Sequence, residues 1–261
     1  MTTDTTTSPT YGRDLEGKVA LITGSARNMG RAFAVSLSQR GADVVVHHHS
    51  ESSANDAEET ARLVQQGGAR ALITKGDLSD PKAVEAIFAE AKDAFGRIDI
   101  VINNAGVVIK KPFAEISEAD FDRAFGINTK AAFFTILEAA KHIEDGGRII
   151  NMGTTLLGAT TGMYGVYAGS KAPLEDFTRA LAKEIGSHGV TVNVVAPGPI
   201  NTAFFHGEEN EQSTAYLSNM SVAGRLGEIT DIVPLIDFLA SSSSKWVTAQ
   251  TLFINGGFLA R

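Results

Sequence analysis

The chain has 261 residues, 43% of them hydrophobic and 20% charged, an ordinary globular composition long enough for one sizeable core. It contains no cysteine, which excludes disulfides and thiolate metal sites and fits a reducing, cytoplasmic compartment. The net charge of −7, without a dense Lys/Arg cluster, argues against a nucleic-acid partner, and no apolar run nears the roughly 18 residues of a membrane span.

Residues 1–14 are Thr-rich and polar and read as a disordered tail before one domain over 15–261. Lys18–Thr23 predicts a buried strand, followed by a glycine-bearing turn and a helix to about Arg40. Asp43–His47 is the next strand; its Val44-Val45-Val46 centre is continuously apolar, as in strands covered on both faces. A helix over 54–66 precedes a strand at Arg70–Lys75, and Pro81 opens a helix to Phe95, proline being favoured in a first turn. Asp99–Asn103 predicts the fourth strand, 118–143 a long helical region, and Arg148–Met152 the fifth strand. A helix over 164–186, a strand at Thr191–Ala196, an irregular stretch over 197–224, a helix at Thr230–Ser241 and a strand at Thr251–Ile254 complete the chain. Seven strands alternating with helices imply an α/β protein with a doubly wound parallel sheet, helices on both faces and right-handed crossovers. Helix 129–142 is apolar nearly all round (Phe133, Phe134, Ile136, Leu137), so it needs burial on two sides, one against the sheet and the other against a second subunit or deeper in the same chain.

Two features carry chemistry. The first strand runs through Thr23-Gly24-Ser25-Ala26-Arg27-Asn28-Met29-Gly30 into a helix, whose opening N–H groups suit a pyrophosphate. Tyr167 and Lys171 lie four apart on one predicted helix face, where a nearby ammonium would lower the phenol from about 10 and suit it to proton exchange. Tyr164 is a rival without a cation at its own i+4 position, which is Ala168. His47, His48 and His49 lack a neighbouring carboxylate or thiolate and make a poor zinc site, so no metal is expected.

From residue 16 onward the chain resembles the short-chain dehydrogenase/reductase family. Thr23 to Gly30 is similar to its Thr-Gly-x-x-x-Gly-x-Gly, with Asn28 in place of the middle glycine. Asparagine tolerates left-handed backbone better than other side chains, so the turn is expected to survive. Asp77 in Gly76-Asp77-Leu78 resembles the adenine-contacting aspartate, Asn103-Asn104-Ala105-Gly106 the fourth-strand motif, Pro197-Gly198-Pro199-Ile200-Asn201-Thr202 the loop beside the nicotinamide, and Asn255-Gly256-Gly257 the C-terminal Asp-Gly-Gly. The resemblance implies a single-domain Rossmann-type fold, a homo-oligomer (tetramer or dimer) and a nicotinamide cofactor. Its contacts would come from Gly24, Ala26, Arg27, Asn28, Met29, Gly30, Asp77, Leu78, Asn104, Ala105, Gly106, Tyr167, Lys171, Pro197, Gly198, Ile200 and Thr202.

The second strand ends in His48-His49-Ser50 without a carboxylate, and Arg27 resembles the basic residue of NADP-using relatives; NADP(H) is favoured over NAD(H). The implied catalytic set is Asn128, Thr154, Tyr167 and Lys171: Thr154 lies thirteen residues before Tyr167 where the family has serine, Thr155 is its fallback, and Asn128 resembles the asparagine that holds a water behind the lysine. A lid over 199–224, with Phe204, Phe205, Tyr216, Leu217 and Met220, would meet Leu156, Leu157, Met163 and Tyr164 around an apolar small-molecule ketone. Gly146-Gly147-Arg148-Ile149-Ile150 and Pro199-Ile200-Asn201-Thr202 with His206 resemble fungal hydroxynaphthalene-type reductases. A 3-oxoacyl-carrier-protein substrate is the alternative; His188 at a position where such relatives carry arginine, and Glu208, Glu209 and Glu211 in the lid, argue against it. A silent nucleotide sensor and a non-redox lyase or epimerase on the same scaffold stay open.

Overall fold

The computed structural model describes residues 12–159 and 161–260. Seven parallel strands form one sheet: β1 (Val19–Ile22), β2 (Asp43–His48), β3 (Ala71–Lys75), β4 (Ile100–Asn103), β5 (Arg148–Met152), β6 (Thr191–Pro197) and β7 (Thr251–Ile254). Their order is β3-β2-β1-β4-β5-β6-β7, so the chain reverses direction across the sheet between β1 and β4. Such a reversal opens a crevice beyond the carboxyl ends of the strands.

Alternate side chains of each strand feed two cores. Ala20 and Ile22, Val44 and Val46, Ile100 and Ile102 pack against α1 (Asn28–Gln39), α2 (Ala54–Gln66) and α10 (Ile229–Ala240). Val19 and Leu21, Val45, Val101 and Ile149 pack against α3 (Pro81–Phe95), α5 (Ala132–His142) and α7 (Pro173–Ile185). This double burial explains the uninterrupted valine run of β2.

Local chemistry sets the helix ends. Asp80 accepts from the Lys82 N–H, Pro81 opens α3, and Gly96 closes it at φ 78°. Ser117 and Asp120 form a capping box that starts α4 (Glu118–Phe125). The helical region expected over 118–143 is not continuous: residues Gly126–Ala131 form a π-helical turn between α4 and α5. The helix expected over 164–186 is also split, into α6 (Gly165–Lys171) and α7, because Pro173 has no N–H to continue the ladder. The stretch expected to be irregular contains α8 (Ala203–His206) and α9 (Glu211–Asn219), the latter opened by an Asn210/Ser213 capping box.

Of the tail expected over 1–14, residues 1–11 lie outside the described residues. Asp14 is held by the Arg40 guanidinium at 2.5 Å, and Leu15 is already in the core.

Candidate active site

The crevice is built where β1 and β4 end. Thr23 Oγ1 accepts the N–H groups of Asn104 and Ala105 (2.9 and 3.0 Å), while the Asn104 amide donates to the Thr23 and Gly24 carbonyls (3.0 and 3.1 Å). These bonds lock the Asn103–Gly106 segment to the glycine turn. Gly24 has φ 64° and Asn28 φ 51°, so asparagine takes the left-handed position at the middle of the turn, as its sequence position predicts. A Cβ on Gly30 would lie 2.7 Å from Ser25 Cα, which fixes α1 tightly under the turn. Arg27 at the start of α1 makes no side-chain cap bond, leaving the first-turn N–H groups to the cleft.

That cleft has a volume of about 810 Å³. Its walls include Gly24, Ala26, Arg27, Asn28, Met29 and Gly30 from the turn, then His48, His49, Asp77 and Leu78. Asn104, Ala105, Gly106, Tyr167, Lys171, Pro197 and Thr202 also line it. Ser50 is not one of these walls; it caps the short turn Glu51–Ser53, and Ser53 lines the cleft instead. Gly198 and Ile200 line the adjoining smaller pocket. Arg27 is exposed, 3.9 Å from Asp56, and Asp77 accepts from the Ser79 N–H, which holds its carboxyl below the usual range. The open helix terminus and the left-handed Asn28 turn fit a pyrophosphate, and Arg27, His48 and His49 offer donor groups at the carboxyl end of β2, which carries no carboxylate.

His47 has a role that its sequence context did not reveal. Its Nδ1 accepts from the Gly24 N–H and its Nε2 donates to the Gly76 carbonyl, both at 3.0 Å. Burial, above all, pushes its pKa down to about 4, so the neutral ring ties the glycine turn to the Asp77 loop. Among the described residues no cluster of three metal-ligating side chains occurs.

At the inner end of the cleft the predicted catalytic residues come together. Tyr167, Thr154, Lys171 and Asn128 are all buried. Thr154 stands beside the Tyr167 hydroxyl, and Thr155 donates instead to the Ala196 carbonyl. Lys171 Nζ donates to the Met152 carbonyl at 2.8 Å. A Cβ on Gly106 would sit 3.1 Å from Asn128 Oδ1 and 3.2 Å from Lys171 Nζ, so glycine lets the fourth-strand loop pass over both.

The electrostatics differ from the expectation of a lowered phenol. Burial raises Tyr167 to about 12, opposed by the Thr154 hydrogen bond, and burial lowers Lys171 to about 8. Desolvation dominates both groups because both are buried, and the ammonium meets the Met152 carbonyl at the end of β5. Asn128 Oδ1 accepts from the Val107 N–H (2.9 Å), and its Nδ2 donates to the Val107 carbonyl (2.8 Å) and Ser170 Oγ (3.0 Å). Its side chain is thus a brace between the β4 loop, the π turn and α6. Asn128→Ala is expected to cost about 1–3 kcal/mol for each of these groups left buried and unpaired, measured by chemical denaturation.

The smaller pocket, of about 140 Å³, is lined by Thr154, Tyr167 and a mainly apolar set including Val108, Leu156, Tyr164, Phe204, Phe205, Leu217 and Phe258. Leu157, Met163, Tyr216 and Met220, expected there, do not line it; Met163, Tyr216 and Met220 are exposed. Glu208 also reaches its wall. The Tyr164 hydroxyl donates to the Glu209 carboxylate and is not free to act as an acid.

A family model described as Enoyl-(Acyl carrier protein) reductase matches residues 24–259. The chain is 40% identical to a short-chain type dehydrogenase/reductase of Picea abies over 93% of both chains. It is 38% identical to the trihydroxynaphthalene reductase PfmaI of Pestalotiopsis fici, over 93% of this chain and 89% of that one. A crystal structure of a dehydrogenase from Burkholderia cenocepacia with bound NADP superposes with a TM-score of 0.92, at 44% identity and 97% coverage of each chain.

Proposed function

The chain belongs to the short-chain dehydrogenase/reductase family, and from this premise we propose that Tyr167, Thr154 and Lys171 reduce a ketone held in the small apolar pocket. The protein is an NADP(H)-dependent oxidoreductase, as its likeness to NADP-bound and reductase-named relatives supports. When bound in the cleft, the cofactor supplies hydride to the carbonyl carbon. The observation that carries the assignment is the convergence of Thr154, Tyr167 and Lys171 where the 810 Å³ cleft meets the apolar pocket.

Thr154 holds the carbonyl oxygen by its hydroxyl, where negative charge develops. Tyr167 delivers the proton to that oxygen. Burial raises its pKa, so the phenol is protonated at neutral pH and holds the proton to be delivered. The Lys171 ammonium stabilises the phenolate left behind and binds the cofactor ribose, and Asn128 holds the loop over it.

Arg27, His48, His49 and Ser53 would recognise the extra phosphate of NADP. Residues 199–224 form the substrate lid, supported by Phe204, Phe205 and Leu217 lining the pocket. An uncharged, mostly apolar ketone fits that lining better than a carrier-bound acyl chain; His188, in place of a carrier-binding arginine, is engaged by Asp145 at 3.1 Å. A homo-oligomer is supported by Phe133 of α5, 41% exposed against Phe177 of α7. Among the described residues no helix is long and apolar enough to cross a membrane, and a cytoplasmic location agrees with the absence of cysteine.

The test is a panel of aromatic and cyclic ketones read by cofactor absorbance with NADPH and NADH. Net NADPH oxidation is expected, with kcat/KM at least about tenfold above NADH, the scale of one charge-assisted contact. Cofactor binding without oxidation across the panel would mark a sensor instead.

A further inference from the structure

Lys110, Glu209 and Tyr164 come from three separate parts of the chain: the loop after β4, the stretch between α8 and α9, and the residue just before α6. The Glu209 side chain is fully buried, and that of Lys110 is 15% exposed. Lys110 Nζ donates to Glu209 Oε2 at 2.5 Å, and the Tyr164 hydroxyl donates to Glu209 Oε1. Lys110 also lies 5.5 Å from the centre of the Tyr164 ring. The Lys111 N–H donates to the Met163 carbonyl at 2.9 Å, so two of the three partners are already paired in the body of the protein. Only Glu209 belongs to the segment that covers the pocket.

A carboxylate removed from water is tolerated only when paired and hydrogen-bonded. Glu209 meets that condition only while its segment lies against the body. It also fixes a ring that lines the pocket beside Tyr167, with centroids 6.2 Å apart and planes at 59°.

We infer that Glu209 is a positioning residue: bonded to Lys110 and Tyr164, it fastens segment 203–219 over the pocket and sets the Tyr164 ring as the wall against which a ketone is oriented. This rests on the reductase reading for its substrate, but the fastening itself does not. Substrate selection then depends on a side chain that touches no substrate. Tyr164 serves as a wall whose only ionisable proton is committed elsewhere, which leaves Tyr167 as the one free phenolic donor among the described residues that line the pocket.

Three variants test it: Tyr164→Phe, Glu209→Gln, and the double variant Lys110→Met/Glu209→Leu, which removes both charges together so that neither is left buried alone. Three readouts are taken: kcat and KM for a ketone, NADPH affinity by fluorescence titration, and amide hydrogen exchange over 203–219. Tyr164→Phe is expected to raise the ketone KM about tenfold with kcat and NADPH affinity within about twofold, the scale of one hydrogen bond to a charged group. Glu209→Gln is expected to accelerate exchange in 203–219, and the double variant to fold but keep the raised KM. Unchanged exchange in Glu209→Gln, or an unaltered KM in Tyr164→Phe or in the double variant, would overturn the inference. If no ketone is reduced by the unaltered protein, the reductase reading fails, while the exchange measurement still decides the fastening.

Discussion

Tyr167→Phe is expected to lower NADPH-dependent ketone reduction by about 10²–10⁴-fold, the usual contribution of a positioned general acid. Phenylalanine keeps the ring and its contact with Tyr164 but removes the hydroxyl that meets Thr154. Affinity for NADPH, set mainly by the glycine turn, β4 loop and β2 end, should stay within about twofold, since one neutral hydrogen bond contributes about 0.5–1.5 kcal/mol. Tyr164 cannot take over, because its hydroxyl donates to Glu209 and burial together with that carboxylate holds its proton more tightly than an ordinary phenol. Steady-state rates and a fluorescence titration check both halves. Turnover retained above a tenth of the parent rate would remove Tyr167 from the mechanism.

Lys171→Met should separate activity from stability. The ammonium is buried and bonded to the Met152 carbonyl, and burial lowers its pKa from 10.5 to about 8. Removing the cation one helical turn from the proton donor is expected to reduce kcat by roughly 10²–10³-fold, as for loss of one preorganised electrostatic donor. Stability should move the other way. The unfolded lysine keeps its proton up to about pH 10.5 and the folded one only to about 8, so parent stability rises between those values. Methionine has no such dependence. The variant should therefore gain up to roughly 3 kcal/mol over the parent below pH 8, offset by the bond lost at Met152, with the gap closing as pH rises to 10.5. Denaturation at pH 7 and pH 10 reads the difference; a gap that widens with pH would contradict a buried ammonium. For the parent, reduction should also decline above about pH 8 as the ammonium loses its proton.

Much of this arrangement could be anticipated from the chain itself, for identifiable reasons. The central strands were legible because they are covered on both faces and so read as unbroken apolar runs, as in Val44-Val45-Val46. The site residues were legible because the glycine turn, the Asn103–Gly106 loop and Tyr167–Lys171 are local motifs. The Pro173 break was also written in the sequence, and periodicity alone passed over it. The π turn at Gly126–Ala131 has no compositional mark, since it depends on where neighbouring segments demand an extra residue. The raised phenol of Tyr167 depends on burial, which i,i+4 spacing does not report. His47 and Glu209 were hidden for a third reason: their partners lie far along the chain, 99 positions away for the Lys110–Glu209 pair.

The strand order also bears on how the protein is made. β1 emerges early in synthesis, and β2 and β3 build on one of its edges, but the other edge waits for residues 100–102. After that each new strand docks beside the one before it, out to β7. A nascent chain stalled before β4 therefore carries a bare apolar strand edge at the centre of the future sheet, the state in which a growing polypeptide most needs a chaperone.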